Sequence, residues 1–370
     1  MNKIHLLGII GIVLVVALLI VVPLQGTGLF GAKDYSVSKL KLGAILPFSG
    51  VNSAWGINGQ RGIELALSEY ANVKELPLEV IYEDSKGEDV FAVSSAQKLI
   101  SIDEVNVLYT SFTGPSIAVA PIANDNNVLQ LYEASVKKPI ELFPNNSIKI
   151  GYYSLGVTCA KVALAAKEMG HKRFALVFAQ KDFSIECKSA FKSILGEEAI
   201  LDEYSFLVSK EDFRSILAKI SSQSYDAIAL TGYQADFSTF YKSYLEADLN
   251  VQILCLAGED CVSDVISKVP QNTIFYQAKI NPVFEKKFFE KYGYISKRDL
   301  SSAATTYDMT RLLLSAIKMC PTKSRDCLKD AILNSKMQTT IETYGFIGNS
   351  LELNPELFIV DADGNVHPLN

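Results

Sequence analysis

The sequence predicts an α/β protein of two doubly wound, Rossmann-like lobes with parallel central sheets, preceded by one N-terminal transmembrane helix. Three observations predict it. At 370 residues the chain is long enough for two domains of roughly 150 residues each. From about residue 39 onward, short apolar runs alternate with amphipathic stretches, the pattern of strands buried on both faces and joined by helices. Before them, residues 4–22 contain no Asp, Glu, Lys or Arg.

That first run holds 19 residues, and at about 1.5 Å per residue a helix of this length crosses the hydrocarbon core of a bilayer once. Its apolar part exceeds the roughly 7–15 residues of a signal peptide, and its exit, Val22-Pro23-Leu24-Gln25-Gly26, lacks a small-residue cleavage site. An uncleaved anchor is expected, with Lys3 inside and the body outside the cell membrane; cleavage would make the protein secreted.

Residues 39–153 read as strands at 40–46, 78–82, 105–109 and 128–131, separated by helices at 58–70, 90–100 and 116–124. A second series follows: helix 157–169, strand 174–178, helix 183–195, strand 200–206, helix 211–221, strand 227–230, helix 236–246 and strand 251–256. Residues 283–335 read as three helices, and 357–361 with 365–367 as a strand pair around Asp363-Gly364.

Composition narrows the function. Lys and Arg total 35 against 41 Asp and Glu, a net charge of −6, so no nucleic acid partner is expected. Three histidines and the absence of HExxH or CxxC spacing argue against a zinc enzyme. No GxGxxG, GxxxxGK[ST] or GxSxG occurs, so neither cofactor nor catalytic residues are expected and the chain does not read as an enzyme. The six cysteines all follow residue 150. An exported chain permits disulfides, and six cysteines allow 15 pairings. The close pairs Cys255/Cys261 and Cys320/Cys327 are the simplest, leaving Cys159 and Cys187; all six as small buried hydrophobes is the competing possibility.

Ligands of doubly wound sheets collect at the carboxyl ends of the strands. The first strand leads to Pro47-Phe48-Ser49-Gly50 and then Trp55, the only tryptophan. The third leads to Ser111-Phe112-Thr113-Gly114-Pro115, immediately before a helix whose first-turn N–H groups can hold an anion. The fourth leads to Glu133-Ala134-Ser135.

The string Leu42-Gly43-Ala44-Ile45-Leu46-Pro47-Phe48-Ser49-Gly50, with Trp55-Gly56, Gly59 and Arg61-Gly62-Ile63-Glu64-Leu65-Ala66, resembles the opening of the leucine/isoleucine/valine-binding protein family, the type I periplasmic binding proteins of ABC importers. The likeness continues through Thr113-Gly114-Pro115, Glu133-Ala134-Ser135, Gly232-Tyr233, Gly258-Glu259 and Tyr344-Gly345-Phe346. It implies a bilobal receptor with a three-crossing hinge: residues 39–153 plus 281–343 as the first ligand-binding lobe, 154–280 plus 344–370 as the second, after the anchor and linker at 1–38. It further implies capture of a small molecule, expected to be an amino acid, and its delivery to an ABC permease and ATPase complex. A ligand-sensing module that signals through a partner protein is the alternative.

Carried over by position, the resemblance assigns Thr113 and Ser135 to the ligand's carboxylate and ammonium. The same loops contribute Ser111, Phe112 and Ala134. Trp55, Tyr233 and Phe183 become aromatic walls, and Glu259 the acid that meets the ammonium. On this assignment Glu259→Ala abolishes binding and Asp260→Ala does little. Glu133 stands where an apolar residue is usual, and Ser302-Ala303-Ala304 where a bulky one is; both departures put branched-chain specificity in doubt.

Overall fold

The computed structural model describes residues 39–71, 77–151, 153–208, 212–262 and 268–369. The helix expected over 4–22 lies outside the described residues; among them, no helix is long and apolar enough to cross a membrane.

The first half of the chain runs β1 (Leu40–Leu46), α1 (Ser53–Ala71), β2 (Leu78–Asp84), α2 (Asp89–Ser101), β3 (Val107–Ser111), α3 (Thr113–Asp125), β4 (Leu129–Glu133), α4 (Lys138–Leu142) and β5 (Ser147–Gly151). The second series is α5 (Leu155–Glu168), β6 (Phe174–Ala179), α6 (Asp182–Leu195), β7 (Ile200–Phe206), α7 (Arg214–Ser221), β8 (Ala227–Leu230), α8 (Gln234–Glu246), β9 (Gln252–Cys255) and β10 (Ile274–Gln277). Three helices, α9 (Pro282–Tyr292), α10 (Lys297–Met319) and α11 (Arg325–Leu333), precede the strands β11 (Thr343–Ile347), β12 (Ser350–Leu353), β13 (Glu356–Val360) and β14 (Val366–Pro368).

Two seven-stranded sheets result, ordered β11-β12-β5-β4-β3-β1-β2 and β14-β13-β10-β9-β8-β6-β7. Both are parallel except at one end, where β11 in one sheet and β13 in the other run antiparallel to their neighbours. Apolar strand residues pack under helices: Leu42, Ala44, Tyr109 and Leu131 are buried with Leu313 of α10 in the first lobe, and Phe174 and Leu254 with Phe237 and Phe240 of α8 in the second. In each sheet the direction of strand addition reverses once, beside β1 and beside β6. Such switch points open a crevice at the strands' carboxyl ends.

The hinge differs from the expected one at its last crossing. Residues 343–353 were expected mostly in the second lobe, yet β11 and β12 belong to the first sheet, with Ser350 in register with Lys149 of β5. The chain passes to the second sheet at 354–355 instead. Lys149, fully buried in the middle of β5, explains the placement: burial lowers its pKa to about 8 while the charge of Glu352 on β12 pulls it back. A sheet interior holding a lysine needs such a partner. The crossing segments are laced together, Asn281 N–H donating to Thr340 O (2.7 Å), Glu342 N–H to Lys279 O (2.9 Å) and Asn354 N–H to Glu342 O (2.9 Å).

Ser302, Ala303 and Ala304 are buried in the seam between α10 and α1 rather than against a ligand space. Ser302 Oγ donates to Trp55 O (2.9 Å) and Thr306 Oγ1 to Gly59 O (2.7 Å). At Gly62 a Cβ would lie 2.1 Å from Ala303 O, so the two backbones approach too closely for any side chain there. The three disulfides are Cys159–Cys187, Cys255–Cys261 and Cys320–Cys327, joining α5 to α6, the end of β9 to the turn that follows it, and the end of α10 to α11.

Candidate functional site

The carboxyl ends of the two sheets meet at a cleft of about 350 Å³, at the small end of the roughly 300–1,000 Å³ usual for small-molecule sites. From the first lobe it is lined by Trp55, Ser111, Phe112, Thr113, Ala134 and Ser135, and from the second by Phe183 and Tyr233. These loops follow β1, β3, β4, β6 and β8, so the switch points of both sheets open into one space.

The loops are held from below. Asp84 accepts from Phe48 N–H (2.8 Å), Lys86 N–H (2.8 Å) and Ser49 Oγ (2.6 Å), shaping the approach to α1. The helix begins earlier than its periodicity indicates, which places Trp55 in its first turn instead of a loop. Under α3, Gln130 donates to Thr110 Oγ1 (3.0 Å) and to Ser116 O (3.0 Å), and Ser135 N–H reaches Thr113 Oγ1 (3.3 Å). Phe112 bridges β3 and α3 at φ 72°, ψ 152°, a region populated almost only by glycine that costs about 1–3 kcal/mol. Its ring sits beside Trp55 with centroids 5.9 Å apart. On the opposite wall, Phe183 and Tyr233 meet edge to face at 5.3 Å.

Glu259 departs from its expected role. It is absent from the residues lining the cleft; its Oε1 accepts from Tyr153 Oη (2.6 Å), from Ala278 N–H (2.8 Å) and from Ser301 Oγ (3.4 Å). Tyr153 and Ala278 belong to two hinge crossings, so this carboxylate braces the hinge. The adjacent Asp260 turns into the cleft in its place. The turn Gly258–Val262 that divides them starts at φ +63°, and a Cβ on Gly258 would lie 2.8 Å from the Tyr276 ring. Burial pushes both carboxyls upward, against the hydrogen bonds to Glu259 and the charge of Arg298 beside Asp260.

Arg298, at the start of α10, was not anticipated. Its Nε donates to Asp260 Oδ1 across the cleft at 2.5 Å, with both side chains 10% exposed. Further groups reach Asp299 Oδ1 (3.2 Å) and Asn52 Oδ1 (3.2 Å), and the guanidinium carbon lies 5.0 Å from the Trp55 ring centroid. A search confined to strand ends misses a residue delivered by a helix 38 positions later in the chain. Glu133 forms part of the floor at 2% exposure. Its Oε2 accepts from Tyr109 Oη (2.9 Å) and Ser111 Oγ (3.2 Å), and Ser111 in turn accepts from Trp55 Nε1 (3.0 Å).

This arrangement can hold an anionic group at the first turn of α3, where N–H groups lack helical acceptors, and can enclose an apolar or cationic body between aromatic rings from both lobes. Among known proteins, the sequence matches the family described as periplasmic binding protein over residues 39–365. It is 24% identical over 217 residues to the Leu/Ile/Val-binding protein homolog 6 of Brucella suis biovar 1, covering 57% of this chain and 55% of that one; the chain thus spans about half the length of that relative. A leucine-binding protein of Thermotoga maritima superimposes with a TM-score of 0.76 at 22% identity, over 90% of this chain and 98% of that one. A solute-binding protein of an ABC transporter from Rhodopseudomonas palustris, in complex with 3,4-dihydroxybenzoic acid, gives 0.77 at 18% identity over 90% and 96%. Since the family match spans nearly all of the described residues and the two-lobed cleft stands where the matched loops converge, the chain belongs to the periplasmic binding protein family.

Proposed function

We propose that the protein is an extracytoplasmic receptor that captures a small polar molecule, an amino acid or a close analogue, between its lobes and delivers it to an ABC importer. The observation that carries this reading is the single cleft at the switch points of both sheets, with Thr113 and Ser135 beside the start of α3 and the aromatic pairs on facing walls. Binding in such a cleft stabilises the folded chain by about 2.7 kcal/mol at ligand concentrations 100 times Kd. Thermal unfolding of the detergent-solubilised full chain against the twenty amino acids is expected to single out a few that raise the midpoint by several degrees. A midpoint unmoved by all twenty overturns the amino-acid assignment.

The uncharged run at 4–22 supports retention at the membrane as an uncleaved anchor. Intact mass of protein from its native host is then expected to include the first residues. Loss of about the first 25–35 residues removes the anchor, since signal peptides are of about that length.

A further inference from the structure

We propose that Glu133 selects the ligand: its free oxygen accepts from a protonated nitrogen, so the receptor takes small cationic molecules such as amines, amidines or guanidines. This rests on the receptor reading above and specifies its ligand class. The carboxylate is fully inside the protein, and while Oε2 is occupied by Tyr109 and Ser111, Oε1 has no hydrogen-bond partner among the described residues. A buried carboxylate oxygen left unpaired is costly, and this one belongs to a residue that lines the cleft.

Two independent features agree. The cleft is lined by four carboxylates, Asp89, Glu133, Asp182 and Asp260, against two cations, Lys181 and Arg298, and Arg298 is engaged by Asp260 and Asp299. The rings of Trp55, Phe112, Phe183 and Tyr233 line the same space, and aromatic faces attract cations. Arg298 already lies over Trp55 in this way. Glu259, the acid expected to meet an ammonium, is occupied at the hinge, which leaves Glu133 as the deep carboxylate.

Ionisation gives the proposal a pH signature. Burial pushes the Glu133 carboxyl up to about 7, against the hydrogen bonds from Tyr109 and Ser111 on β3, the nearby Trp55 indole on α1 and the charge of Lys149 on β5. In the empty cleft it is largely protonated at pH 5.5 and largely ionised at pH 7.5. Because only the ionised form accepts the cation, affinity is expected to fall roughly 20-fold between those two values.

The test is calorimetry of the full chain with lysine, arginine, putrescine, agmatine, leucine, benzoate and 4-hydroxybenzoate, repeated with Glu133→Gln. Binding of one or more of the four cationic probes, weakened at least 30-fold by Glu133→Gln, is expected. Without ligand, that variant should melt no lower than the parent, since an unpaired buried charge has been removed; a merely structural Glu133 would lower it. The pH profile of the unmodified protein gives a measurement independent of the variant. Binding confined to leucine, benzoate or 4-hydroxybenzoate overturns the cation assignment and leaves a small-molecule receptor standing. Cation binding equally tight in Glu133→Gln, or independent of pH, also overturns it. Binding of none of the seven also overturns the cation assignment, while the amino-acid reading is decided separately by the panel of twenty.

Discussion

Asp260→Ala is expected to open the cleft. Asp260 reaches from the second lobe to Arg298 on the first at 2.5 Å, with both side chains almost removed from water, and breaking such a pair by removing one partner costs about 3–5 kcal/mol. Asp299 and the Trp55 ring retain part of the interaction with the guanidinium, which brings the effect to or below the low end of that range, about 2–3 kcal/mol. The closed form then loses on the order of 30- to 150-fold in population relative to the open one. Small-angle scattering of the ligand-free variant should give a larger radius of gyration than the parent, and Arg298→Met should do the same. The double variant should be no more open than either single one, since one interaction is lost once. Scattering curves that coincide for all four proteins would refute the link between the lobes.

Glu259→Ala is expected to act on stability. Its carboxylate accepts from the Tyr153 hydroxyl and the Ala278 amide, both at the hinge, and each buried donor left without an acceptor costs about 1–3 kcal/mol. The sum, about 2–6 kcal/mol, lowers the melting midpoint of a chain of this size by about 3–9 °C, measurable by calorimetry without any ligand. Binding at temperatures well below the transition should suffer less than in Asp260→Ala. An unchanged midpoint with binding abolished would return Glu259 to the ligand's ammonium. Of the two neighbouring acids, it is therefore Asp260 and not Glu259 that enters the cleft.

The reversal follows from the turn. Successive residues of a tight turn point in different directions, and which one enters the cleft depends on Gly258 at positive φ, on the Cys255–Cys261 bridge and on the rings of Tyr153 and Tyr276 packed beneath. None of these is visible in the string Gly258-Glu259-Asp260. Arg298 shows the same limit over a longer range, because its place depends on how closely α10 lies against α1, and that distance is set by Gly62 and Ala303.

By itself the sequence determined the two α/β lobes and most of their strands, because period and apolar content are local properties that burial on both faces of a sheet enforces. It also determined the strand ends beside which Trp55, Thr113 and Ser135 lie, since a doubly wound sheet exposes those ends whatever its details, while Tyr233 came from the family resemblance. Tertiary structure alone decided that Ser147–Gly151 is an inner strand despite Lys149, that β11 and β12 join the first sheet, that Glu259 accepts from Tyr153 and Ala278 at the hinge, and that one oxygen of Glu133 is buried without a hydrogen-bond partner among the described residues. The common reason is electrostatic. The cost of burying a charge depends on which other groups the fold brings within a few ångströms of it, and here those groups lie on other strands and helices.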